Sequence, residues 1–212
     1  MTAPAWIALV VAAGFAVADW IANARDDRAL EYVAKPATLV ALVAVAVALD
    51  PADSTLRAWF VAALVFSLAG DVLLMLPKEQ FVAGLAAFLV GHVCYVVGFW
   101  VDPPSGRAFA VAALVVVVCV SPVAVRVLRA LRGSEDAALA PPVTAYIGVI
   151  SVMVASALAS GNPVAGAGAT LFAVSDSMIA WSRFVRPFRA APVAIMVTYH
   201  VGQALLVLSM VS

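Results

Sequence analysis

Apolar residues along this chain are gathered into eight long runs instead of alternating with polar ones. The runs fall at about 5–24, 33–49, 58–76, 81–101, 108–128, 140–160, 163–181 and 191–211, each close to the roughly 20 residues that carry a helix across a bilayer core. Short polar breaks separate them, and their residues are those that end helices: Asp50-Pro51, Pro77-Lys78, Asp102-Pro103-Pro104, Gly133-Ser134, Gly161-Asn162-Pro163 and Pro187. Connections this short leave no room for a separate soluble domain. The pattern predicts an all-α fold, a single polytopic membrane domain over residues 1–212 built as a bundle of eight transmembrane helices.

Composition agrees: 66% of the 212 residues are hydrophobic and 11% charged, against roughly 45–50% apolar in soluble domains, and the mean hydropathy is +1.10. An integral membrane protein, multi-pass in a bacterial cell membrane, is the expected location. Net charge is zero, which gives no reason to expect a nucleic-acid partner. No cation precedes Arg25, so the first run lacks the basic region of a cleavable signal peptide and is expected to stay as a first helix. Cys94 and Cys119 lie inside apolar runs and are expected to be small buried thiols. Trp6, Trp20, Trp59, Trp100 and Trp181 fall near run ends, where indoles sit at the membrane interface.

The cations set an orientation. Connections after the first, third, fifth and seventh runs hold ten of them: Arg25, Arg28, Lys35, Lys78, Arg126, Arg129, Arg132, Arg183, Arg186 and Arg189. The other side holds only Arg57 and Arg107. Short loops rich in Lys and Arg stay in the cytoplasm, so both termini are expected outside it.

Candidate chemistry comes from the acids inside the runs. Asp71 sits in FSLAGDVLLMLP, residues 66–77; an aspartate at the centre of a membrane helix costs roughly 2.5–3.5 kcal/mol and calls for a partner or a function. Asp19, Asp71 and Asp176 are each about five residues from the cytoplasmic end of a run, hence roughly 7–8 Å into the core. His92 and Tyr95 share one face of the fourth run, Tyr199 and Gln203 one face of the eighth. Lys35 opens the second run, with a stem long enough to reach a carboxylate. These residues converge on a cavity open to the cytoplasmic leaflet. Ala169, Ala173, Asp176 and Ala180 form a small-residue stripe that keeps Asp176 in the interior, and Gly84, Phe88, His92, Tyr95 and Phe99 form a comparable one. Asp19 reads as an acid reaching the headgroup level beside Asn23. His200, about 100° around its helix from Tyr199, reads as structural.

At these residues the chain resembles the YhhN family of membrane proteins, whose characterised members are lysoplasmalogenases. The matching pieces are Lys35-Pro36, Gly70-Asp71 with LLMLP, FVAGLAAFLVGHVCY, LFAVSDSMIAWSRF, and Tyr199 with Gln203, in order from residue 35 to 208. The resemblance implies hydrolysis of the vinyl ether bond of a lysoplasmalogen to a fatty aldehyde and glycerophospho-ethanolamine or -choline. Its partners would be a lysophospholipid, water and membrane lipids. Vinyl ether hydrolysis begins by protonating carbon, and water then captures the oxocarbenium ion, so two carboxyl groups suffice and neither metal nor cofactor is required. Asp71 and Asp176 are the expected catalytic pair, with the order of acid and base open. Lys35 would hold one carboxylate ionised or meet the phosphate, and His92, Tyr95, Tyr199 and Gln203 would orient water and the ether oxygen. Two other classes fit the residues: a metal-dependent membrane lipid hydrolase using Asp71, His92 and His200, and a proton-coupled transporter of a small or lipid-like solute.

Overall fold

A computed structural model describes residues 1–51, 53–76 and 80–212. Among them, eight α-helices follow one another: α1 (Ala3–Arg25), α2 (Arg28–Ala48), α3 (Ser54–Met75), α4 (Phe81–Phe99), α5 (Gly106–Arg132), α6 (Ala140–Ala159), α7 (Pro163–Phe184) and α8 (Ala191–Leu208). All eight are long and apolar enough to cross a membrane. The chain is a multi-pass integral membrane protein, as the run lengths predict.

Several boundaries differ because capping chemistry extends helices past their apolar stretch. Asp27 caps α2 by accepting from the Leu30 amide at 3.1 Å, so the helix starts at Arg28, five residues before the apolar run. Asp53 caps α3, accepting from the Thr55 and Leu56 amides at 2.6 and 3.2 Å; these donors hold its carboxyl below the usual carboxylate range. At the far end of α5 the helix continues to Arg132, with Arg129 and Arg132 over its negative dipole end. One consequence touches the cation tally. Lys35 lies seven residues inside α2, about 10 Å from its start, and is buried, so it is an interior cation and not a loop one. Pro77 and Lys78 lie outside the described residues.

Consecutive helices pair as hairpins: α1 with α2, α3 with α4, α5 with α6, α7 with α8. The two halves meet where α4 packs on α6 and where α8 packs on α1 and α2. Gly168 and Gly202 let the backbones of α7 and α8 come close. A Cβ on Gly202 would stand 2.9 Å from both the Gly168 carbonyl oxygen and the Phe172 nitrogen, so any side chain there drives the helices apart.

Enclosure is uneven. In the 27 residues of α5 only Ala112, Val116, Val127 and Leu131 are buried, while Val111, Leu114, Val115, Val117 and Val118 are exposed to what must be lipid. Cys119 belongs to that outer surface, contrary to the expectation of a buried thiol, whereas Cys94 is buried. The same helix contains Pro122, which cannot donate to the Val118 carbonyl one turn back and loosens α5 at mid-length.

Candidate active site

The interior acids divide into two hydrogen-bonded groups. The first is built on Asp71 of α3, which is 2% exposed. Lys35 of α2 places Nζ 3.3 Å from Asp71 Oδ1, and Tyr199 Oη of α8 donates to Oδ2 at 2.8 Å. Behind them, Gln203 Nε2 reaches Tyr199 Oη at 3.5 Å and Tyr95 Oη donates to Gln203 Oε1 at 2.6 Å. Five predicted residues therefore form one chain, Tyr95–Gln203–Tyr199–Asp71–Lys35, drawn from α2, α3, α4 and α8. A cation and a hydroxyl are thus both aimed at this one carboxyl. Gly70 permits this arrangement, because the Phe88 ring lies where its Cβ would be, 2.5 Å from the nearest ring carbon.

Asp176 of α7 anchors the second group. Tyr146 Oη of α6 donates to its Oδ2 at 2.5 Å, and His92 Nε2 of α4 stands 3.8 Å from the same oxygen, beyond hydrogen-bond range. His92 Nδ1 lies 2.6 Å from the Phe88 carbonyl. A carbonyl only accepts, so Nδ1 carries a proton and Nε2 is the ring atom that faces Asp176. Asp71 and Asp176 do not touch as a hydrogen-bonded pair. Aromatic rings stand between the two groups: Phe172 packs on His92 with centroids 4.7 Å apart and on Tyr199 at 5.1 Å, and Phe88 packs on both Phe172 and Tyr199.

The second group faces open space. A cavity of about 100 Å³ lies among α3 to α7, and Asp176, Tyr146, Ser151 and Ser177 are the polar residues in a lining otherwise made of side chains such as Leu85, Phe88 and Ile150. It reaches Phe81, Val143 and Phe184 at the helix ends near the α7–α8 connection, where the Arg183 guanidinium lies 3.9 Å over the Phe81 ring. Asp71 is not part of that lining.

Three expectations change. Asp19 does not reach the headgroups: it is fully buried, because it continues the stripe Ala5, Ala12, Ala16 and Ala22 that α1 turns toward the bundle. Asn23 Nδ2 donates to the Asp19 backbone carbonyl at 2.9 Å, not to the carboxylate, and among the described residues nothing donates to either side-chain oxygen. Trp20, expected only at the interface, donates from Nε1 to His200 Nδ1 at 3.2 Å, so His200 is turned to α1, away from His92. The Asp71, His92 and His200 set suggested for a metal is thus not assembled, and no group of three ligating side chains converges among the described residues. Tyr146 is the residue that sequence reasoning missed. Its one signal is that three of the four tyrosines in the chain are buried inside apolar runs, and two of those three, Tyr95 and Tyr199, already stood among the candidates.

An acid on the wall of an apolar cavity, a second acid held against a lysine, and eight apolar helices around them define a membrane protein with an intramembrane carboxylate site. The chain belongs to the YhhN family, whose sequence profile matches residues 30–210. It is 37% identical over 147 residues to human lysoplasmalogenase TMEM86B, covering 69% of this chain and 61% of that protein. It is 35% identical over 179 residues to the lysoplasmalogenase of Mycobacterium tuberculosis, covering 80% and 66%, and 31% identical over 159 residues to human lysoplasmalogenase TMEM86A, covering 70% and 63%. The chain thus spans just under two thirds of the length of these relatives. No solved structure matches it significantly.

Proposed function

We propose that this protein is a membrane hydrolase that cleaves the vinyl ether bond of a lysoplasmalogen, with Asp176 as the acid and Asp71 as the ionised carboxylate. The observation that carries the reading is the Asp176–Tyr146 contact on the wall of an otherwise apolar cavity; the relatives named lysoplasmalogenase agree with it. In the proposed reaction the Asp176 carboxyl gives its proton to the outer vinyl carbon, forming a C–H bond from the π electrons and leaving an oxocarbenium ion. Tyr146 Oη, already aimed at Oδ2, stabilises the carboxylate as it forms. The fixed negative charge of Asp71 and the face of Phe88 on the cavity wall favour the cation. Water adds to the cationic carbon and passes its proton to His92 Nε2, which returns it to Asp176 across the 3.8 Å gap once the groups close. The hemiacetal then breaks its bond to the glycerol oxygen, which takes the hydroxyl proton, and a fatty aldehyde is released. One water is consumed and no net proton.

Lys35 keeps Asp71 ionised, and Tyr95, Gln203 and Tyr199 hold the orientation of that carboxylate. The lysolipid would enter from the cytoplasmic leaflet with its phosphate among Arg183, Arg186 and Arg189, both termini of the protein lying outside the cytoplasm. Purified protein in nanodiscs should release long-chain aldehyde from a lysoplasmalogen and none from the matching saturated ether. Absence of aldehyde, together with proton-dependent solute uptake in proteoliposomes, would replace this reading by the transporter.

A further inference from the structure

The cavity at Asp176 is too small for the whole molecule that would react there. It holds about 100 Å³, whereas sites that enclose a small ligand usually offer roughly 300–1,000 Å³. Beside it runs a larger hollow of about 500 Å³ along the seam of α5 and α7, lined by Val115, Cys119, Val174, Met178 and Trp181 among others. Val120, Val123, Val154, Ala173 and Ser177 line both. The two spaces therefore adjoin across a shared wall formed by Val120 and Val123 of α5, Val154 of α6, and the small residues Ala173 and Ser177 one turn apart on α7, on either side of Asp176 in sequence.

Two further observations show where this wall is weak. Pro122 interrupts the α5 hydrogen-bond ladder between Val120 and Val123, and α5 buries little of its surface. The groove beyond is apolar in effect: the one hydroxyl it adds, that of Thr170, is turned back onto the Gly166 carbonyl at 2.7 Å.

We infer that this wall opens as a lateral portal, a window through which the hydrocarbon tail of a single-chain lysolipid leaves the reaction cavity between α5 and α7 while its vinyl ether stays at Asp176. The inference rests on the hydrolase reading for the identity of the reacting group, and on the shared lining for the path of the tail. Lipid chains are as apolar as the side chains of the groove, so a tail that stays in the bilayer pays nothing for reaching the site. A sealed cavity would have to exclude it.

Cys119 is a built-in reporter, an exposed free thiol in the groove, with Cys94 buried. In diacyl-lipid nanodiscs, a non-hydrolysable hexadecyl ether lysolipid should slow alkylation of Cys119 by a membrane-permeant maleimide. The slowing should be roughly tenfold at ten times its half-saturating concentration, since protection follows 1 + [L]/Kd. A butyl analogue, too short to reach the groove, should leave the rate unchanged. In the activity arm, Ala173→Phe or, from the other side of the window, Val120→Phe should lower the ratio of kcat/KM for hexadecenyl over butenyl substrate at least tenfold. Equal labelling with and without the long-chain analogue, or unchanged chain-length ratios in both variants that remain folded, would overturn the portal. Protection of Cys119 in a protein that releases no aldehyde would support the portal and overturn the hydrolase reading instead.

Discussion

Exchanging each carboxyl for an amide separates the two roles. Asp176→Asn keeps an oxygen to accept from Tyr146 Oη but removes the transferable proton from the cavity wall. Turnover should fall by about 10²–10⁴, the usual range for a general acid, which is about 2.7–5.4 kcal/mol of barrier at 1.36 kcal/mol per tenfold. Folding should hardly change. Asp71→Asn acts differently, because it strips the counter-charge from a buried ammonium 3.3 Å away. At an effective dielectric near 20 that attraction is about 5 kcal/mol, and breaking a buried ion pair from one side costs about 3–5 kcal/mol. Asp71→Asn and Lys35→Met should therefore each lose stability as well as turnover. The double variant removes both charges and should recover most of the stability while staying inactive, a coupling that a double-mutant cycle reads directly. The assay is aldehyde release at saturating lysoplasmalogen in nanodiscs, run beside thermal unfolding of the same preparations. Near-parental turnover in Asp176→Asn refutes the acid assignment, and a double variant no more stable than either single one refutes the ion-pair argument.

Tyr146→Phe removes the hydroxyl that supports the carboxylate formed on Asp176; turnover should drop roughly 10- to 100-fold, as for a hydrogen bond of about 1.5–3 kcal/mol to a charged group, with melting temperature as the control. Gly202→Val would press a side chain into the Gly168 carbonyl and the Phe172 nitrogen, so the protein should lose its monodisperse peak on size exclusion whatever the substrate. A reporter fused after Ser212 should be active only outside the cytoplasm, and activity confined to the cytoplasm would reverse the proposed orientation.

The helices were legible because membrane spans are read from length and apolarity alone, and the eight runs supply both. What the runs hid was the polar shoulder of each span. Arg28 to Tyr32 look like a loop by composition, yet they form the first turns of α2, because Asp27 satisfies an amide there and the interface tolerates charge. That shift moves Lys35 from a helix mouth into the interior, where it becomes the partner of Asp71.

The candidate site was legible to the extent that it follows helix periodicity. Tyr199 and Gln203, or His92 and Tyr95, can be put on one face by counting. Rotation about the axis was the harder quantity: depth alone put Asp19 near the headgroups, although its alignment with Ala5, Ala12, Ala16 and Ala22 turns it inward. Pairing between helices cannot be counted at all. Tyr146 and Asp176 are 30 residues apart and meet only because α6 packs against α7, and a tyrosine in an apolar helix costs too little to announce itself as an aspartate does. The same limit explains why two acids at similar depth looked like one pair. Each instead has its own donors, with Phe88 and Phe172 between them. On the proposed mechanism this separation is what would let the two carboxyl groups take different roles: Asp71 stands against the Lys35 ammonium, while Asp176 lies on the cavity wall beside Tyr146.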